Sequence, residues 1–322
     1  MIPRPAIPPF LRGIVVCPRC RKPLKPRGNR WVCRRPACRA AYPVVGHIPI
    51  LIDEQSSLFS IEAVLKEKDR GPAAGRSKWN AVLSRFIPSI NRNTTSRRNY
   101  DRFAGLLYAR TPHPRVLVVG GGTLGQGMEP LILRGRMDLV ETDVRIGPRT
   151  MLVCDAHRLP FASEVFDGVV VQAVLEHVVD PAQCVREIHR VLKSQGLVYA
   201  ETPFIQQVHM GAYDFQRYTH LGHRRLFRDF DEIDSGAACG PGMALAWSYR
   251  YFLLSFVRSR RVRAFLTAFS GFTAFPLVWF DRFLVNRPGA LDAASSFYFM
   301  GRKNRRPVAD RRLVAMYRGL FC

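Results

Sequence analysis

The chain has 322 residues, of which 47% are hydrophobic, and a net charge of +24. This apolar content suffices for a large core and excludes a generally disordered chain. Residues 1–115 carry 23 basic and 6 acidic side chains, residues 116–235 carry 12 and 16, and residues 236–322 carry 14 and 3. Basic flanks favour a polyanionic partner: a membrane leaflet, a lipid-linked substrate or RNA. Generous use of arginine in a GC-rich genome is the alternative.

The eight cysteines do not form the framework of a small disulfide-rich secreted protein. Four of them cluster near the amino terminus and the others are scattered. Residues 1–13 are too rich in proline, and their apolar run is too short, for a signal peptide. We therefore expect a cytoplasmic protein.

The cysteine cluster has the spacing of a metal site. Cys17 and Cys20 lie in C-P-R-C, and Cys33 and Cys38 lie in C-R-R-P-A-C. Two such pairs suit one tetrahedral Zn²⁺ held by four thiolates, and the metal would stabilise a segment too small to bury much core. Four thiols without metal are the alternative. The following AAYPVVGHIPILI resembles the tail of small bacterial zinc-ribbon proteins and of the zinc-ribbon activator subunit of tRNA and protein methyltransferases. The resemblance implies a structural or partner-binding role for residues 1–58.

Residues 59–113 form a polar, basic connector. A short helix is predicted at 60–70 and is broken by GPAAG at 71–75. A second helix is predicted from Ser96 to Leu107.

A strand that runs into glycines opens the central region, 114–241. The apolar strand Arg115–Val119 leads directly into Gly120, Gly121 and Gly122. Such glycines let a ligand approach the backbone at the carboxyl end of the first strand of a doubly wound sheet. Asp143, at the end of the second strand, can accept hydrogen bonds from two ribose hydroxyls. A glycine-rich turn alone also fits a plain strand-to-helix corner, and Asp143 could cap a turn.

Strands and helices alternate through this region, which indicates an α/β fold with a mostly parallel sheet. Too few residues separate Asp143 from Thr150 for the usual crossover helix, so we expect that helix to be absent. The predicted helices are 126–134 and 181–192, and the predicted strands after the first are 137–142, 150–153, 166–172 and 197–201.

The motif from Asp155 to Gly196 resembles class I S-adenosylmethionine-dependent methyltransferases of the type 11 group. It reads D-A-x-x-L-P-F-x-x-x-x-F-D-x-V-V-x-x-x-V-L-E-H-V-x-D-P-x-x-x-x-x-E-I-x-R-V-L-K-x-x-G. The resemblance implies a Rossmann-like, doubly wound, mostly parallel seven-stranded sheet with S-adenosylmethionine as cofactor. It assigns the methionine part to Gly120 and Gly122, the ribose to Asp143, the adenine to Asp155 and Ala156, and the sulfonium to Gln172, Val174 and Leu175. Glu176 and His177 form the family's E-H dipeptide, whose role varies; His177 could equally be structural.

Two departures from the family pattern affect the predicted cofactor site. Val118 stands where the family commonly has an acidic residue, so one contact to the methionine end is missing or comes from elsewhere. The absent crossover helix leaves one side of the adenine pocket open, for the connector or the ribbon to cover.

Polar residues follow the fifth strand in H-x-x-x-x-D-F-x-R-Y-T, where this fold binds its substrate. His209 or Asp214 could remove a proton from the acceptor, and Arg217 could hold an anionic group. Alternatively, Asp214 and Arg217 fix the loop while Thr219 caps the next helix. The signature resembles bacterial methyltransferases associated with surface-glycan and lipid-linked sugar pathways.

Aromatic and basic residues dominate the predicted helical insertion at 242–294. Its longest uncharged run is Ala264–Phe280, which is preceded by RSRRVR. Such a helix suits the interface of an anionic membrane, and a helical cap packed on the sheet is the alternative. Residues 295–303 are predicted to form the last strand, within a final segment, 295–322, that ends in a basic tail.

Three functions remain open from the sequence. The favoured one is O-methylation of a small or lipid-linked, glycan-type acceptor by a cytoplasmic protein peripheral to the membrane. RNA methylation is suggested by the ribbon and the charge, although no N-P-P-Y-type motif follows the fifth strand. A non-catalytic binding module that retains the fold is the third.

Overall fold

The computed structural model describes residues 8–70, 87–304 and 306–320. Two features of the sequence analysis lie outside these ranges: residues 1–7 of the amino-terminal segment that was compared with a signal peptide, and the predicted helix break at 71–75. The strands are β1 (Leu24–Arg27), β2 (Arg30–Cys33), β3 (Ala41–Val45), β4 (Ile48–Leu51), β5 (Arg115–Val119), β6 (Asp138–Asp143), β7 (Leu152–Cys154), β8 (Phe166–Gln172), β9 (Leu192–Pro203), β10 (Phe230–Cys239) and β11 (Ser296–Lys303).

The helices of the described residues lie between and after these strands. They are α1 (Pro9–Ile14), α2 (Ile61–Arg70), α3 (Ser96–Tyr108), α4 (Glu129–Leu133), α5 (Pro181–Val191), α6 (His220–Leu226), α7 (Pro241–Ser255), α8 (Arg260–Trp279), α9 (Asp281–Leu284), α10 (Ala290–Ala293) and α11 (Asp310–Val314). Short 3₁₀ turns occur at Ala156–Arg158, Leu175–His177 and Gly211–Tyr213.

All eleven strands belong to one sheet, in the order β1-β2-β3-β4-β7-β6-β5-β8-β9-β11-β10. The seven strands from β7 to β10 form the central sheet. Strands β7, β6, β5, β8 and β9 are parallel, and β11 runs antiparallel to both of its neighbours. The predicted Rossmann-like, mostly parallel seven-stranded sheet is therefore confirmed.

Element boundaries agree best where a strand is buried on both faces. The predicted strands Arg115–Val119 and Phe166–Gln172 match β5 and β8 residue for residue. The predicted helix 126–134 is shorter, because the glycine-rich loop continues to Met128 before α4 begins. Strand β9 starts directly where α5 ends, at Leu192, five residues before the predicted start.

A compact turn replaces the crossover helix between β6 and β7, as expected. The Thr150 hydroxyl accepts a hydrogen bond from the Gly147 amide at 2.9 Å and donates to the Arg145 carbonyl at 3.0 Å. This use of Thr150 shifts the third strand two residues beyond its predicted start. A side chain at Gly147 would place its Cβ 2.3 Å from the Gly122 carbonyl oxygen, so glycine lets the turn lie against the glycine loop.

The amino-terminal ribbon extends the edge of the central sheet. Strand β4 pairs in parallel with β7, matching Ile50 to Val153 and Leu51 to Cys154. Trp31 of the ribbon lies in the same buried cluster as Phe161 of the core. Folding of the ribbon is thereby coupled to the third strand of the central sheet. The predicted domain boundaries stay predictions.

Helices α7 and α8 pack against each other beside the carboxyl ends of the strands. The buried face of α8 carries Gly271, Ala274 and Val278, whereas Phe265 and Phe272 are exposed on the helix. The buried face agrees with the predicted helical cap, and the membrane-interface alternative stays a prediction. Within the described residues, one stretch, Arg260–Leu284, is long and apolar enough to cross a membrane by length and composition, with a mean hydropathy of 1.3 and 22% of its apolar window buried.

Candidate functional site

Two cavities of about 330 Å³ each meet at the carboxyl ends of the parallel strands. Gly120, Thr123 and Ala173 line both of them. We name the first the glycine-loop cavity; it is lined among others by Phe59, Val119, Asp143, Asp155, Ala156, Val174, His177 and Tyr213. The second is the carboxylate cavity, lined among others by Asn93, Gln126, Gln172, Glu176, Glu201, Gln206, His209 and Met243.

The glycine loop has no room for side chains. Gly120 has a φ of +75°, and a Cβ there would lie 2.3 Å from Cγ2 of Val174. The Gly122 amide donates a hydrogen bond to Oδ2 of Asp143 at 3.0 Å. Gly122 therefore lies behind the cavity wall and orients Asp143, while Gly120 forms the wall itself.

Asp143 presents a carboxylate held from the backbone side. Its Oδ1 accepts a hydrogen bond from the Arg145 amide at 3.0 Å, and Gly122 holds Oδ2. Burial raises the pKa of Asp143, and the backbone amides oppose that effect by stabilising the charged form. Among the described residues, only backbone amides donate hydrogen bonds to this carboxylate, so its remaining lone pairs can accept ribose hydroxyls.

Asp155 also lines the glycine-loop cavity, with Ala156 beside it, but its carboxylate has side-chain partners. Oδ1 accepts from the His157 amide at 2.9 Å, and Oδ2 accepts from the Ser57 hydroxyl. Burial tends to raise the pKa of Asp155, but the hydrogen bonds from His157 and Ser57 prevail and lower it. An adenine amine would share this carboxylate with Ser57, which comes from the segment after the ribbon.

The side that the missing crossover helix leaves open is lined by Phe59. Its ring stacks on that of Tyr213, with the centroids 5.8 Å apart. Phe59 follows the ribbon and Tyr213 follows β9, so no local motif in the sequence connects them. The segment after the ribbon and the loop after β9 together close this side of the cavity.

Leu175 is not at either cavity, which corrects its assignment beside the sulfonium. It is fully buried in the core, because the 3₁₀ turn Leu175–His177 directs it inward. Its neighbour Glu176 lines the carboxylate cavity instead. Gln172 does lie at a cavity wall, where its Nε2 donates to Oε2 of Glu201 at 2.9 Å.

Glu201 is the centre of a buried network that the sequence analysis missed. Its carboxylate accepts hydrogen bonds from Ser96, Tyr199, Gln172 and Asn93. Burial raises the pKa of Glu201, and these donors oppose the shift. An acidic residue at the end of an apolar strand is the one sequence signal that could have indicated it.

Glu176 lies where the two cavities meet. Its side chain is 1% exposed, and Oε2 has no hydrogen-bond partner among the described residues. Burial raises the pKa of this carboxyl to about 8. Its Oε1 is 3.6 Å from Nε2 of His177 and 4.0 Å from Nε2 of His209. A buried carboxyl group and two imidazoles therefore converge at this point.

Of the three predicted catalytic residues, only His209 lines a cavity. Asp214 and Arg217 form a two-bond ion pair, and Arg217 also donates to the Gln206 carbonyl at 2.9 Å. The pKa of Asp214 is lowered, chiefly by its hydrogen bonds from Arg217. The N–H groups of Arg217 donate hydrogen bonds to protein acceptors rather than to an anionic ligand. This geometry matches the alternative in which the pair fixes the loop, and the Thr219 hydroxyl caps α6 by accepting from the Gly222 amide at 3.1 Å.

The four predicted metal-binding cysteines converge in the ribbon. The Sγ atoms of Cys17 and Cys38 are 3.8 Å apart and those of Cys20 and Cys33 are 3.5 Å apart. A tetrahedral zinc with four thiolates separates its sulfurs by about 3.8 Å. The cluster geometry therefore fits Zn²⁺. The residues that follow Cys20 and Cys38 both have positive φ, +58° for Arg21 and +51° for Arg39, so the two knuckles end alike despite their different spacing.

Comparison with protein families identifies the central domain. Residues 133–200 match the family model described as a methyltransferase domain, of type 11. The matched segment contains Asp143, Asp155 and the E-H dipeptide, which line the two cavities. This match makes the central domain a methyltransferase domain, of a class that uses S-adenosylmethionine. Among curated proteins, no sequence matches this methyltransferase significantly.

Several solved structures align with this methyltransferase. Phosphoethanolamine N-methyltransferase 2 from Haemonchus contortus, in complex with S-adenosyl-L-methionine, is 15% identical, with a TM-score of 0.43 over 80% of this chain and 62% of that chain. The 1,6-didemethyltoxoflavin-N1-methyltransferase from Burkholderia thailandensis is 14% identical, with a TM-score of 0.39 over 88% of this chain and 99% of that chain. A complex of the Haloferax volcanii Trm112 methyltransferase activator and the putative methyltransferase contains a chain that is 16% identical, with a TM-score of 0.38 over 72% of this chain and 100% of that chain. These values are too low to transfer a substrate to this methyltransferase.

The glycine-loop cavity of the methyltransferase fits the cofactor. Gly120 leaves its wall flat, Asp143 offers free lone pairs, and Val174 and Phe59 supply apolar surface. S-adenosylmethionine, when bound, supplies a methyl group on a positively charged sulfur. Val118 is buried in the core, so it makes no polar contact, and the acids that line the adjoining cavity are Glu176 and Glu201.

Proposed function

We propose that this methyltransferase transfers a methyl group to a hydroxyl of a small or lipid-linked, glycan-type acceptor held in the carboxylate cavity. The observation that carries the proposal is the placement of α7. Met243 of α7 lines the carboxylate cavity, and α7 packs on α8, whose outer face is an exposed aromatic stripe. One pair of helices therefore joins the acceptor cavity to an apolar surface.

Direct contacts attach the acceptor-side loop to α7. Tyr251 donates a hydrogen bond to the Val208 carbonyl at 3.0 Å, and Gln207 donates to the Ser248 hydroxyl at 3.1 Å. The rings of His209 and Trp247 are 6.3 Å apart. A movement of α7 on a surface would therefore be transmitted to His209.

The lining of the carboxylate cavity suits a hydroxyl-rich acceptor. It combines amide side chains with the carboxyl groups of Glu176 and Glu201, of which Glu201 is fully partnered, and with apolar surface that includes Met243. Amide groups offer both donors and acceptors, which is what a sugar-type ligand with many hydroxyls requires. Methyl transfer then depends mainly on holding the acceptor oxygen in line with the sulfonium. The amide residues of this wall are Asn93, Gln126, Gln172 and Gln206.

The outer face of the helices suits an anionic membrane surface. Its exposed residues recur at spacings of three, four or seven, so they lie along one side of the helices. The stripe consists of Val262, Phe265, Phe269, Phe272, Trp279 and Phe283. Exposed arginines cluster at the start of α8, at Arg258, Arg260, Arg261 and Arg263. Aromatic side chains beside arginine favour a peripheral position on an acidic leaflet, which would bring lipid-linked acceptors to the cavity.

Transfer of a labelled methyl group tests the acceptor class. Protein loaded with zinc is first titrated with S-adenosylhomocysteine by calorimetry to establish an intact cofactor site. Methyl-labelled S-adenosylmethionine is then supplied with total lipid extract, with water-soluble glycans or with total RNA. We expect label in the lipid or glycan fraction, in a form that resists alkaline hydrolysis as an ether does. Label in RNA alone would overturn the proposal in favour of RNA methylation.

Vesicle flotation tests whether the aromatic stripe binds an anionic membrane. We expect the protein to float with phosphatidylglycerol vesicles and not with phosphatidylcholine vesicles. The triple variant Phe265→Ser, Phe269→Ser, Phe272→Ser should lose flotation, whereas Leu58→Ser, at an exposed apolar residue outside the stripe, should keep it. A stripe that joins two copies of the chain would instead show as a dimer that the triple variant converts to monomer without any flotation.

We further propose that the four cysteines of the ribbon bind one structural Zn²⁺. The proposal is supported by the sulfur separations, by the two knuckles and by the pairing of β4 with β7. Elemental analysis should give about one zinc per chain from this site. Cys33→Ser should lose that zinc and lower the midpoint of thermal unfolding, while Cys184→Ser, which lies outside the ribbon, should keep it. Full zinc content in Cys33→Ser would refute the assignment.

A further inference from the structure

We propose that Glu176, His177 and His209 bind a divalent metal ion where the two cavities meet. One ligand atom from each residue lies within 4.8 Å of the other two. This site is separate from the cysteine cluster of the ribbon. The assignment deepens the proposed function, on which its catalytic role rests.

The two histidines are oriented as metal ligands are. Nδ1 of His177 donates to the Tyr213 carbonyl, 2.8 Å away, because a carbonyl can only accept. In the neutral ring Nε2 then carries a free lone pair, and it lies 3.6 Å from Oε1 of Glu176. Histidine ligands in proteins usually donate their second N–H to a carbonyl or carboxylate in this way.

The ring of His209 is arranged similarly, with Nδ1 near protein oxygens and Nε2 near Glu176. Its Nδ1 is 3.3 Å from the Gln207 carbonyl and 3.5 Å from Oδ2 of Asp214, and its Nε2 is 4.0 Å from Oε1 of Glu176. Asp214 is itself fixed by Arg217. The ion pair after β9 thus acts as the outer support of a ligand, which makes Asp214 and Arg217 positioning residues.

The state of Glu176 is an independent indication of a cation. Its side chain is 1% exposed, and Oε2 has no hydrogen-bond partner among the residues described. A buried carboxylate oxygen without a partner is disfavoured, and a bound cation removes that penalty. Glu201, by contrast, has four donors and needs no cation.

The donor set indicates the class of metal. Two imidazoles and one carboxylate suit first-row divalent ions such as Mn²⁺, Fe²⁺ or Zn²⁺ better than Ca²⁺ or Mg²⁺. Adjacent ligand atoms around such an ion lie about 3 Å apart, so binding requires His209 to approach Glu176 by about 1 Å. His209 lies on an exposed stretch of the loop after β9, which can accommodate this movement.

A cation at this position would act on the acceptor. Glu176 and His209 line the carboxylate cavity and His177 lines the glycine-loop cavity, so the open coordination positions face the place of methyl transfer. A hydroxyl bound there has a lowered pKa and releases its proton to water. The C–S bond of the sulfonium then breaks with its electron pair left on sulfur while the O–C bond forms, giving a methyl ether and S-adenosylhomocysteine.

Manganese binding tests the site without any need for turnover. Full-length protein with its ribbon loaded with zinc is titrated with MnCl₂, and free Mn²⁺ is measured by electron paramagnetic resonance. We expect about one bound Mn²⁺ per chain, since one imidazole–carboxylate set is available. Glu176→Gln and His209→Gln should each weaken binding at least about ten-fold, because each removes a ligand. His113→Gln, at an exposed histidine remote from the cavities, is the control and should bind as the wild type does.

Each outcome has one meaning. Equal Mn²⁺ affinity in the wild type and both variants, or no binding by any of them, would overturn the metal site in favour of a metal-free Glu176–His209 pair. Thermal unfolding shows whether each variant is folded, and His209→Gln, on the exposed loop, remains informative if Glu176→Gln is not. Titration with S-adenosylhomocysteine separates this proposal from the preceding one. Loss of Mn²⁺ binding with unchanged cofactor affinity supports the metal site even if the acceptor proves not to be a lipid or glycan.

Discussion

The two cavities of this methyltransferase are built in different ways. The groups of the glycine-loop cavity follow directly on the strands β5, β6 and β7, at Gly120, Asp143 and Asp155. The carboxylate cavity takes its groups from distant segments, such as Asn93 before α3 and Met243 in α7. The polar groups that hold a cofactor at strand ends need only local sequence, although Phe59 and Tyr213 close that cavity from distant segments. An acceptor held between loops and helices depends entirely on how those elements pack.

Their acidic groups differ as well. Asp143 is held by two backbone amides and leaves lone pairs free for a ligand. Glu201 is held by four side chains and serves as a fixed part of the wall, while Glu176 lacks a partner for one oxygen. The first cavity is therefore complete in its polar groups, and the second has one group that still requires a partner.

The largest effect is expected at Asp143. Asp143→Ala removes the acceptor of the ribose hydroxyls and the anchor of the Gly122 amide, so affinity for S-adenosylhomocysteine should fall by about 100-fold or more, as for two charge-assisted hydrogen bonds. Calorimetric titration measures it. Asp138→Ala, at an exposed residue of the same strand, should leave affinity within about two-fold of the wild type. Similar affinities for both variants would contradict the assigned cofactor site.

A comparable loss is expected from a methyl group at Gly120. Gly120→Ala combines positive φ with a 2.3 Å approach to Val174 and should lower the free energy of unfolding by about 2 kcal/mol, as well as weaken cofactor binding. Urea unfolding measures the change. Gly135→Ala has a positive φ of +61° but open space, so it isolates the backbone effect. Adding Val174→Ala should recover part of the loss, and no recovery would show that the clash is unimportant.

A smaller effect on cofactor affinity is expected at Phe59, which follows the ribbon and lines the glycine-loop cavity. Phe59→Ala removes the stacking on Tyr213, so affinity for S-adenosylhomocysteine should fall by about five- to ten-fold, the equivalent of one aromatic pair. Leu58→Ala, at the exposed neighbour that lines neither cavity, is the matched control. Unchanged affinity in Phe59→Ala would mean that the segment after the ribbon does not close over the bound cofactor.

The most gradual effect is the loss of stability at low pH that arises from two buried histidines of helix α6, which follows the acceptor-side loop. Burial lowers the pKa of His220 to about 4 and that of His223 to about 3, so both are neutral in the folded protein. The unfolded chain takes up these protons first, so their stabilisation is complete above about pH 6.5 and declines as the pH falls. Each histidine should lower the free energy of unfolding by about 1.4 kcal/mol per pH unit between pH 6 and pH 4.5.

Urea unfolding at several pH values measures this decline. His223→Leu should remove one histidine's share of the slope, whereas His113→Leu, at an exposed residue, should leave the slope unchanged. A wild-type slope in His223→Leu would show that His223 already binds a proton in the folded state. Cofactor affinity, measured over the same range, indicates whether acid affects the glycine-loop cavity as well.

The sequence by itself determined the methyltransferase fold, the four-cysteine ribbon, the absent crossover helix and the positions of Gly120, Asp143 and Asp155. These features are local, because strand ends, glycine turns and cysteine knuckles depend on residues a few positions apart. Tertiary structure alone turned Leu175 into the core and placed Phe59 over the open side. Those outcomes depend on contacts between distant segments, and the same pattern of apolar and polar residues is compatible with several such packings.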